Sequence, residues 1–188
     1  MLNIPVILGS VREGRNSEKP AKFLIEKITA LGHQTQLVDF KEMPLPFFDS
    51  ALTPVAMKGV YPYPNVQKWS GIAQAADAFV LVFPEYNHGY NAVIKNALDW
   101  LFNEFSKKPF LLCGVSDGSF GGARAIEQMR PIVENFRAVA IREAITFSKA
   151  DKLFDAEGKL LDESYNKRID SSLENLVWWA EALKKARE

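Results

Sequence analysis

The chain has 188 residues, of which 47% are hydrophobic and 24% are charged, and this is the composition of an ordinary globular protein. Its 23 basic residues are matched by 23 acidic residues, so the formal net charge is zero. Nucleic-acid-binding proteins usually carry a basic excess on one face, and electron carriers often find partners through a strongly charged surface, so this balance argues against both classes.

Short apolar runs alternate with helical patterns along the chain. The predicted strands are residues 4–8, 36–38, 78–83, 110–115 and 139–145. They are apolar rather than alternating and are bounded by Gly, Pro or Asp, which is typical of buried parallel strands. The predicted helices are residues 17–31, 65–76, 91–105, 122–136 and 162–186. The helix over 122–136 contains Pro131, which we expect to kink it.

This alternation predicts an α/β fold in which residues 1–188 form a single domain. We expect a three-layer α-β-α sandwich around a five-stranded parallel sheet of order 2-1-3-4-5, the flavodoxin-like arrangement, with right-handed crossovers. In such a sheet a ligand binds beyond the carboxyl ends of the strands, where the strand order reverses. That point lies between the first and third strands, so the loops after Leu8 and Phe83 are the places to search for chemistry.

The loop after the first strand, residues 9–17, has the features of a phosphate site. It opens with a glycine and leads into a helix, whose free N–H groups and dipole favour an anion. Ser10 and Ser17 offer hydroxyl groups, and Arg12 and Arg15 offer positive charge. The loop matches neither the Walker nor the dinucleotide fingerprint, so a terminal phosphomonoester fits better than a pyrophosphate. The alternative is a plain polar connection capped by a serine.

Two further loops offer backbone groups to a flat ligand. The loop after the third strand begins with Pro84, Glu85, Tyr86 and Asn87. Its rigid backbone and aromatic wall suit a heterocycle with donor and acceptor edges. The loop after the fourth strand contains Ser116, Gly118, Gly121 and Gly122. Its glycines permit close approach of the backbone to a ligand, although a flexible connection needs the same residues.

At these loops the sequence resembles the NADPH-dependent FMN reductases of the flavodoxin-like fold. The resemblance is carried by Gly9-Ser10-Val11-Arg12 with Ser17, by Pro84-Glu85-Tyr86-Asn87 with residues 95–100, and by residues 121–125. It implies FMN with its phosphate at Ser10, Arg12 and Ser17, with Arg15 as an alternative or additional partner. The flavin ring would lie against residues 84–87 and near 116–122. Many relatives carry serine at the position of Gly89 and proline at that of Asn91, so the chain departs from the family there.

The resemblance also implies a reaction. NADPH or NADH would reduce the flavin, which would pass electrons to a quinone, another flavin, a dye or a metal ion. No catalytic side chain is required, because the flavin carries the chemistry. A flavodoxin-like electron carrier or scaffold that binds FMN without using a nicotinamide nucleotide is the alternative.

A hydrolase can be rejected from the sequence. Residues 114–118 formally match G-x-S-x-G around Ser116, but the nucleophile elbow needs a helix directly behind the serine. Glycine-rich chain intervenes here. The histidine of that fold follows the serine, whereas His33 and His88 both precede it.

The remaining expectations concern location and assembly. Cys113 is the one cysteine, which excludes an intrachain disulfide and argues against a structural zinc site. The chain shows neither a run of about 20 apolar residues nor a signal-peptide pattern, so we expect a cytoplasmic protein without a membrane partner. The family resemblance implies a homodimer, or a tetramer, with the flavin near the interface. We expect the aromatic segment Tyr61–Trp69 to shape the flavin pocket there; the alternative is packing on its own domain.

Overall fold

The structure is a computed structural model that describes residues 1–188. A parallel β-sheet forms its centre. Its strands are β1 (Val6–Leu8), β2 (Leu37–Asp39), β3 (Phe79–Tyr86), the two-residue β4 (Gly89–Tyr90), β5 (Pro109–Val115) and β6 (Val139–Phe147). The order is β2-β1-β3-β5-β6, and all of these neighbours are parallel. This confirms the predicted order of the five main strands. The sequence did not predict β4, which pairs antiparallel with the end of β3.

Helices cover both faces of the sheet. They are α1 (Glu18–Ala30), α2 (Pro54–Met57), α3 (Pro64–Ala75), α4 (Ala92–Asp99), α5 (Ala123–Asn135) and α6 (Ser164–Arg187), with a 3-10 turn at Asn103–Phe105. The predicted helix over 91–105 is therefore two pieces, and α2 was not predicted. Helix α5 continues through Pro131. No helix is both long enough and apolar enough to cross a membrane.

The central strands are buried on both faces because two apolar clusters lie on opposite sides of the sheet. Along β3, Phe79, Leu81 and Phe83 belong to one cluster, whereas Val80 and Val82 belong to the other. Successive strand residues point to opposite faces, so a strand covered on both sides has to be apolar at every position. This explains the continuous apolar runs in the sequence.

The aromatic segment that we expected at a subunit interface belongs to this core instead. Trp69 is fully buried, and its indole N–H donates a 2.8 Å hydrogen bond to the carbonyl of Ala97. Tyr61 is also buried, and its hydroxyl donates a 2.6 Å hydrogen bond to the carboxylate of Glu104. The expectation for this segment was wrong because residues 64–75 form a helix that turns Val66, Trp69 and Ala73 inward.

The third glycine-rich loop folds back across β5. Gly121 and Gly122 have φ angles of 58° and 85°, in the left-handed region that favours glycine. A Cβ atom on Gly114 would lie 2.7 Å from the carbonyl oxygen of Gly122 and 2.8 Å from that of Gly121. The backbone of this loop therefore packs directly on the backbone of the strand.

We predict that Gly114→Ala lowers the free energy of unfolding by about 1–3 kcal/mol, because the added methyl group overlaps two backbone carbonyls. Gly71→Ala is the matched control, since a Cβ atom there meets no atom within 4 Å and the residue lies inside α3. It should raise the free energy of unfolding by about 0.5–1 kcal/mol. Urea denaturation measures both changes. Equal stability of the two variants would contradict the close backbone contact.

Candidate functional site

Three loops meet at the carboxyl ends of β1, β3 and β5, where the order of the strands reverses. We call them the first loop (residues 9–17), the second loop (84–91) and the third loop (116–122). A cleft of about 250 Å³ lies between them. It is lined by Ser10, Arg12, Gly14, Arg15, Asn16, Ser17, Pro84, Glu85, Tyr86, Val115, Ser116, Asp117 and Gly118. This is the position at which open α/β sheets bind ligands.

Most residues predicted for the site line this cleft. The exceptions are Asn87, Gly121 and Gly122. Gly121 and Gly122 are buried against the backbone of β5, as described above. Gly14, Asn16, Val115 and Asp117 line the cleft without having been predicted.

Arg15 braces the first loop and is not free to bind an anion. Its side chain is 7% exposed, and both of its terminal nitrogens donate to the carboxylate of Asp39. One of them also donates to the carbonyl of Ser10 at 2.7 Å, and Nε donates to Glu18 at 3.2 Å. Burial by itself raises the pKa of Asp39, but hydrogen bonds from Arg15 and from the backbone of Lys41 outweigh it, so the pKa lies below its usual value. The pair therefore stays ionised at neutral pH.

Arg12 has the opposite character. Its side chain is exposed, and its guanidinium group forms no ion pair. The guanidinium carbon lies 5.9 Å from the centre of the Tyr86 ring, close enough for a cation–π contact. Of the two arginines that the sequence left open, Arg12 is the one available to a bound anion.

Two serines of the first loop lie at the bottom of the cleft. Ser17 is 2% exposed and precedes α1, yet its hydroxyl has no hydrogen-bond partner and does not cap the helix. Ser10 is equally buried, and its hydroxyl lies 3.3 Å from that of Tyr86. Buried hydroxyl groups are nearly always paired, so the orphan Ser17 hydroxyl at a helix N-terminus indicates a missing acceptor. An anion in this position satisfies it.

The second loop turns tightly at its tip. Asn87 and His88 have φ angles of 50° and 70°, and they join Tyr86 to Gly89 of the β3–β4 hairpin. Two successive positive φ angles are the signature of a type I′ turn, which asparagine tolerates. The turn places Asn87 outside the lining of the cleft. A hydrogen bond of 2.6 Å from the side chain of Asn91 to the carbonyl of Gly9 holds the base of this loop against the first loop.

Glu85 lines the cleft but is committed to α5. Its side chain is 8% exposed and accepts hydrogen bonds from the backbone N–H groups of Arg124 at 3.1 Å and Ala125 at 3.4 Å. It also pairs with the Arg124 guanidinium at 3.2 Å. The residue before α5 is glycine, which has no capping side chain, so Glu85 supplies the cap from the neighbouring strand.

The third loop is tied to the first by side chains. Asn16 donates a 2.8 Å hydrogen bond to the carboxylate of Asp117. The hydroxyl of Ser116 accepts a 3.1 Å hydrogen bond from the backbone of Gly118. Neither His33 nor His88 lines the cleft, so the arrangement around Ser116 lacks the base that a serine hydrolase requires.

Comparison with known proteins gives a consistent result. A family model described as NADPH-dependent FMN reductase matches residues 2–152. The chain is 34% identical over 146 residues to an NAD(P)H-dependent FMN reductase of Saccharomyces cerevisiae, and this match covers 72% of the chain and 75% of that protein. It is 29% identical over 181 residues to an NAD(P)H:quinone oxidoreductase of Solanum tuberosum, covering 92% of the chain and 90% of that protein.

A solved structure has the same fold. It is that of FerB, a flavoenzyme NAD(P)H:(acceptor) oxidoreductase from Paracoccus denitrificans, with a TM-score of 0.79 and 24% sequence identity. The superposition covers 97% of this chain and 98% of the FerB chain.

We predict that Asp39→Asn lowers the free energy of unfolding at pH 7 by about 1–3 kcal/mol, because Arg15 loses a charged acceptor. Asp39 has a depressed pKa in the folded state, so its contribution is complete above the unfolded value of about 3.9 and disappears as the pH falls through the lower folded value. The difference between the wild type and the variant should therefore be constant near neutral pH and shrink below about pH 4.

Asp99→Asn is the control for this measurement. Asp99 pairs with Lys95 at 2.6 Å on the surface of α4, where such an i,i+4 pair contributes only about 0.2–0.5 kcal/mol. Denaturation series in urea at several pH values would measure both variants. A loss for Asp39→Asn no larger than that for Asp99→Asn would show that Arg15 does not depend on this carboxylate.

Proposed function

The chain belongs to the NADPH-dependent FMN reductase family and is an NAD(P)H-dependent flavin oxidoreductase, and from this premise we propose that the cleft between the three loops holds FMN. The observation that supports this assignment most directly is the buried, unpaired hydroxyl of Ser17 at the N-terminus of α1. The unpaired guanidinium of Arg12 borders the same cleft. A hydroxyl donor, a free cation and a helix N-terminus together suit a terminal phosphate.

The residues of the cleft divide into groups that bind the cofactor and groups that hold the loops in place. Ser10, Ser17 and Arg12 bind the phosphate, whereas Arg15 holds the loop that carries them. The backbone of residues 84–87, with Gly118, faces the flavin ring, and Glu85 fixes the start of α5 behind the third loop. When bound, FMN would supply the redox chemistry, namely acceptance of hydride from the nicotinamide and delivery of electrons to the acceptor. The second and third loops would orient its ring.

The proposal also covers the electron acceptor, the domain organisation and the cellular location. We propose a small-molecule acceptor such as a quinone, a flavin, a dye or a metal ion, since relatives of the chain are named as quinone oxidoreductase and azoreductase. Residues 1–188 would act as one FMN-binding domain. The cytoplasmic location stays a prediction from the sequence.

We also propose a homodimer, with a different contact surface from the one predicted. Exposed apolar side chains cluster in one segment: Phe47 is 78% exposed, Leu52 57%, Val55 47% and Val60 75%. Phe47 is presented on a fixed backbone, because Asn96 and Trp100 donate hydrogen bonds of 2.9 and 2.8 Å to the carbonyl of Pro46. Beside Phe47 lies an apolar groove that includes Val11 of the first loop, so this surface borders the cofactor cleft.

The function can be tested by reduction of the bound flavin. We expect the protein to bind FMN and NADPH to bleach the yellow absorbance under argon within seconds. Arg12→Ala combined with Ser17→Ala should weaken FMN binding by about 3–6 kcal/mol, since each charge-assisted hydrogen bond contributes about 1.5–3 kcal/mol. Riboflavin is the matched control ligand. Riboflavin lacks the phosphate, so the wild type should bind it more weakly than FMN. The double variant should bind riboflavin as tightly as the wild type does.

Two outcomes would count against the proposal. Equal affinities of the wild type for FMN and riboflavin would remove the phosphate site. Tight FMN binding without reduction by NADPH or NADH would favour the alternative, an electron carrier that does not use nicotinamide nucleotides.

The dimer is tested at Phe47. Light scattering should give about twice the chain mass of 21.1 kDa for the wild type. Phe47→Asp should give monomers, because a charge in an apolar contact is costly. Leu161→Asp is the control, since Leu161 is 59% exposed and lies outside the exposed apolar segment of residues 47–60. A monomeric wild type that turns over NADPH would refute the dimer, and a dimeric Phe47→Asp would move the interface elsewhere.

A further inference from the structure

A second and larger cleft, of about 470 Å³, borders the first loop. The two clefts share Arg12, Gly14, Arg15 and Asn16, so they meet along the segment that carries the proposed phosphate site. The remaining walls are the outer side of the first turns of α1, Lys41 after β2, and the turn at residues 156–158. The phosphate end of the cofactor cleft therefore opens towards further space.

Some of the charged side chains that line this second cleft form ion pairs or hydrogen bonds within the protein, and others do not. It is lined by five cations and three carboxylates: Arg12, Arg15, Lys19, Lys22, Lys41, Glu18, Glu26 and Glu157. Arg15 is bound to Asp39, and Lys22 pairs with Glu18 at 2.7 Å. Lys19 donates a 2.8 Å hydrogen bond to the carbonyl of Asp155. Arg12 in the first loop and Lys41 beside it form no ion pair, whereas Glu26 and Glu157 are the unpaired carboxylates and belong to α1 and the turn at residues 156–158.

The walls of the cleft suit a nucleoside as well as a phosphate. Phe23 contributes an aromatic ring that is partly buried and packs edge-on against Phe154 at 5.8 Å. Gly14 and Gly158 border the cleft from different segments, and a Cβ atom at either position would meet no atom within 4 Å. Space, an aromatic ring and the unpaired cations Arg12 and Lys41 occur together next to the proposed phosphate site.

We propose that this second cleft is a subsite for the AMP half of FAD, so that the protein accepts FAD as well as FMN. The proposal rests on the proposed function, which puts the flavin phosphate at the first loop. The second phosphate of FAD is joined to the first through one bridging oxygen. It would lie between Arg12, which both phosphates would share, and Lys41. The adenosine extends along α1 beside Phe23. The first loop thus binds the phosphate that FMN and FAD have in common.

The adenosine end of NADPH has the same chemistry and is the competing occupant. We favour FAD because the second cleft is continuous with the cofactor cleft. The second cleft joins the cofactor cleft at the phosphate-binding segment 12–16, and it shares no residue of the second loop, where the flavin ring and the nicotinamide have to meet.

The test compares FMN and FAD titrated into the flavin-free protein. Wild-type protein should bind FAD at least as tightly as FMN. Lys41→Glu should weaken FAD about tenfold and leave FMN within twofold, because it reverses one of the unpaired charges. Glu157→Gln should strengthen FAD, since it removes a carboxylate from the cleft; a folding defect would not produce this gain. Lys68→Glu, an exposed and unpaired lysine on α3, is the control and should alter neither affinity.

The outcomes separate this inference from the function beneath it. FMN binding with FAD at least tenfold weaker would overturn the subsite alone, as would FAD affinity that is indifferent to Lys41→Glu. An increased KM for NADPH in Lys41→Glu, with unchanged FAD affinity, would assign the cleft to the nicotinamide nucleotide and overturn the inference. Failure to bind either flavin nucleotide would overturn the proposed function and the subsite with it.

Discussion

Burial of the central strands on both faces is the constraint on which the rest of the structure depends. Side chains of β1, β3 and β5 pack into one apolar cluster or the other, so these strands carry almost no polar group within the sheet. Polar side chains with a chemical role are therefore confined to the ends of the strands. Because the strands are parallel, their carboxyl ends lie at one edge, and the reversal of strand order leaves room there for a ligand.

Most of the polar groups at this edge hold the loops in place. Arg15 joins the first loop to Asp39 at the end of β2, Glu85 joins β3 to α5, and Asn16 joins the first loop to the third. Each of these groups has its partner within the protein. Three groups at this edge stay unsatisfied: the hydroxyl of Ser17, the side-chain oxygen of Asn91 and the charge of Arg12. Of these, the hydroxyl and the guanidinium can donate to a bound anion. Side chains that are hydrogen-bonded or ion-paired within the protein hold the loops, and side chains that lack such partners are available to a ligand.

That division could not be read from the sequence. Arg12 and Arg15 lie three residues apart in one polar loop, and Glu18, which pairs with Arg15, does not by itself show that Arg15 is buried and held. The partner of Arg15 lies 24 residues away and that of Glu85 lies 39 residues away, so their commitment depends on how the strands pair. The sequence predicted that Gly121 and Gly122 let the backbone approach a ligand, whereas the contact that the structure shows is with Gly114 of β5.

The sequence by itself determined the alternation of strands and helices, the order of the main strands and the loops that form the candidate site. The alternation follows from local patterns, since a continuous apolar run or a 3.6-residue period reports the surroundings of its own segment. The strand order and the loops then follow from the flavodoxin-like arrangement that this alternation suits. The tertiary structure alone decided which arginine is free, that Tyr61 and Trp69 are core residues, and that a second cleft borders the first loop. These depend on contacts between segments distant in the chain, where the same residue type serves equally well as a core, a brace or a ligand.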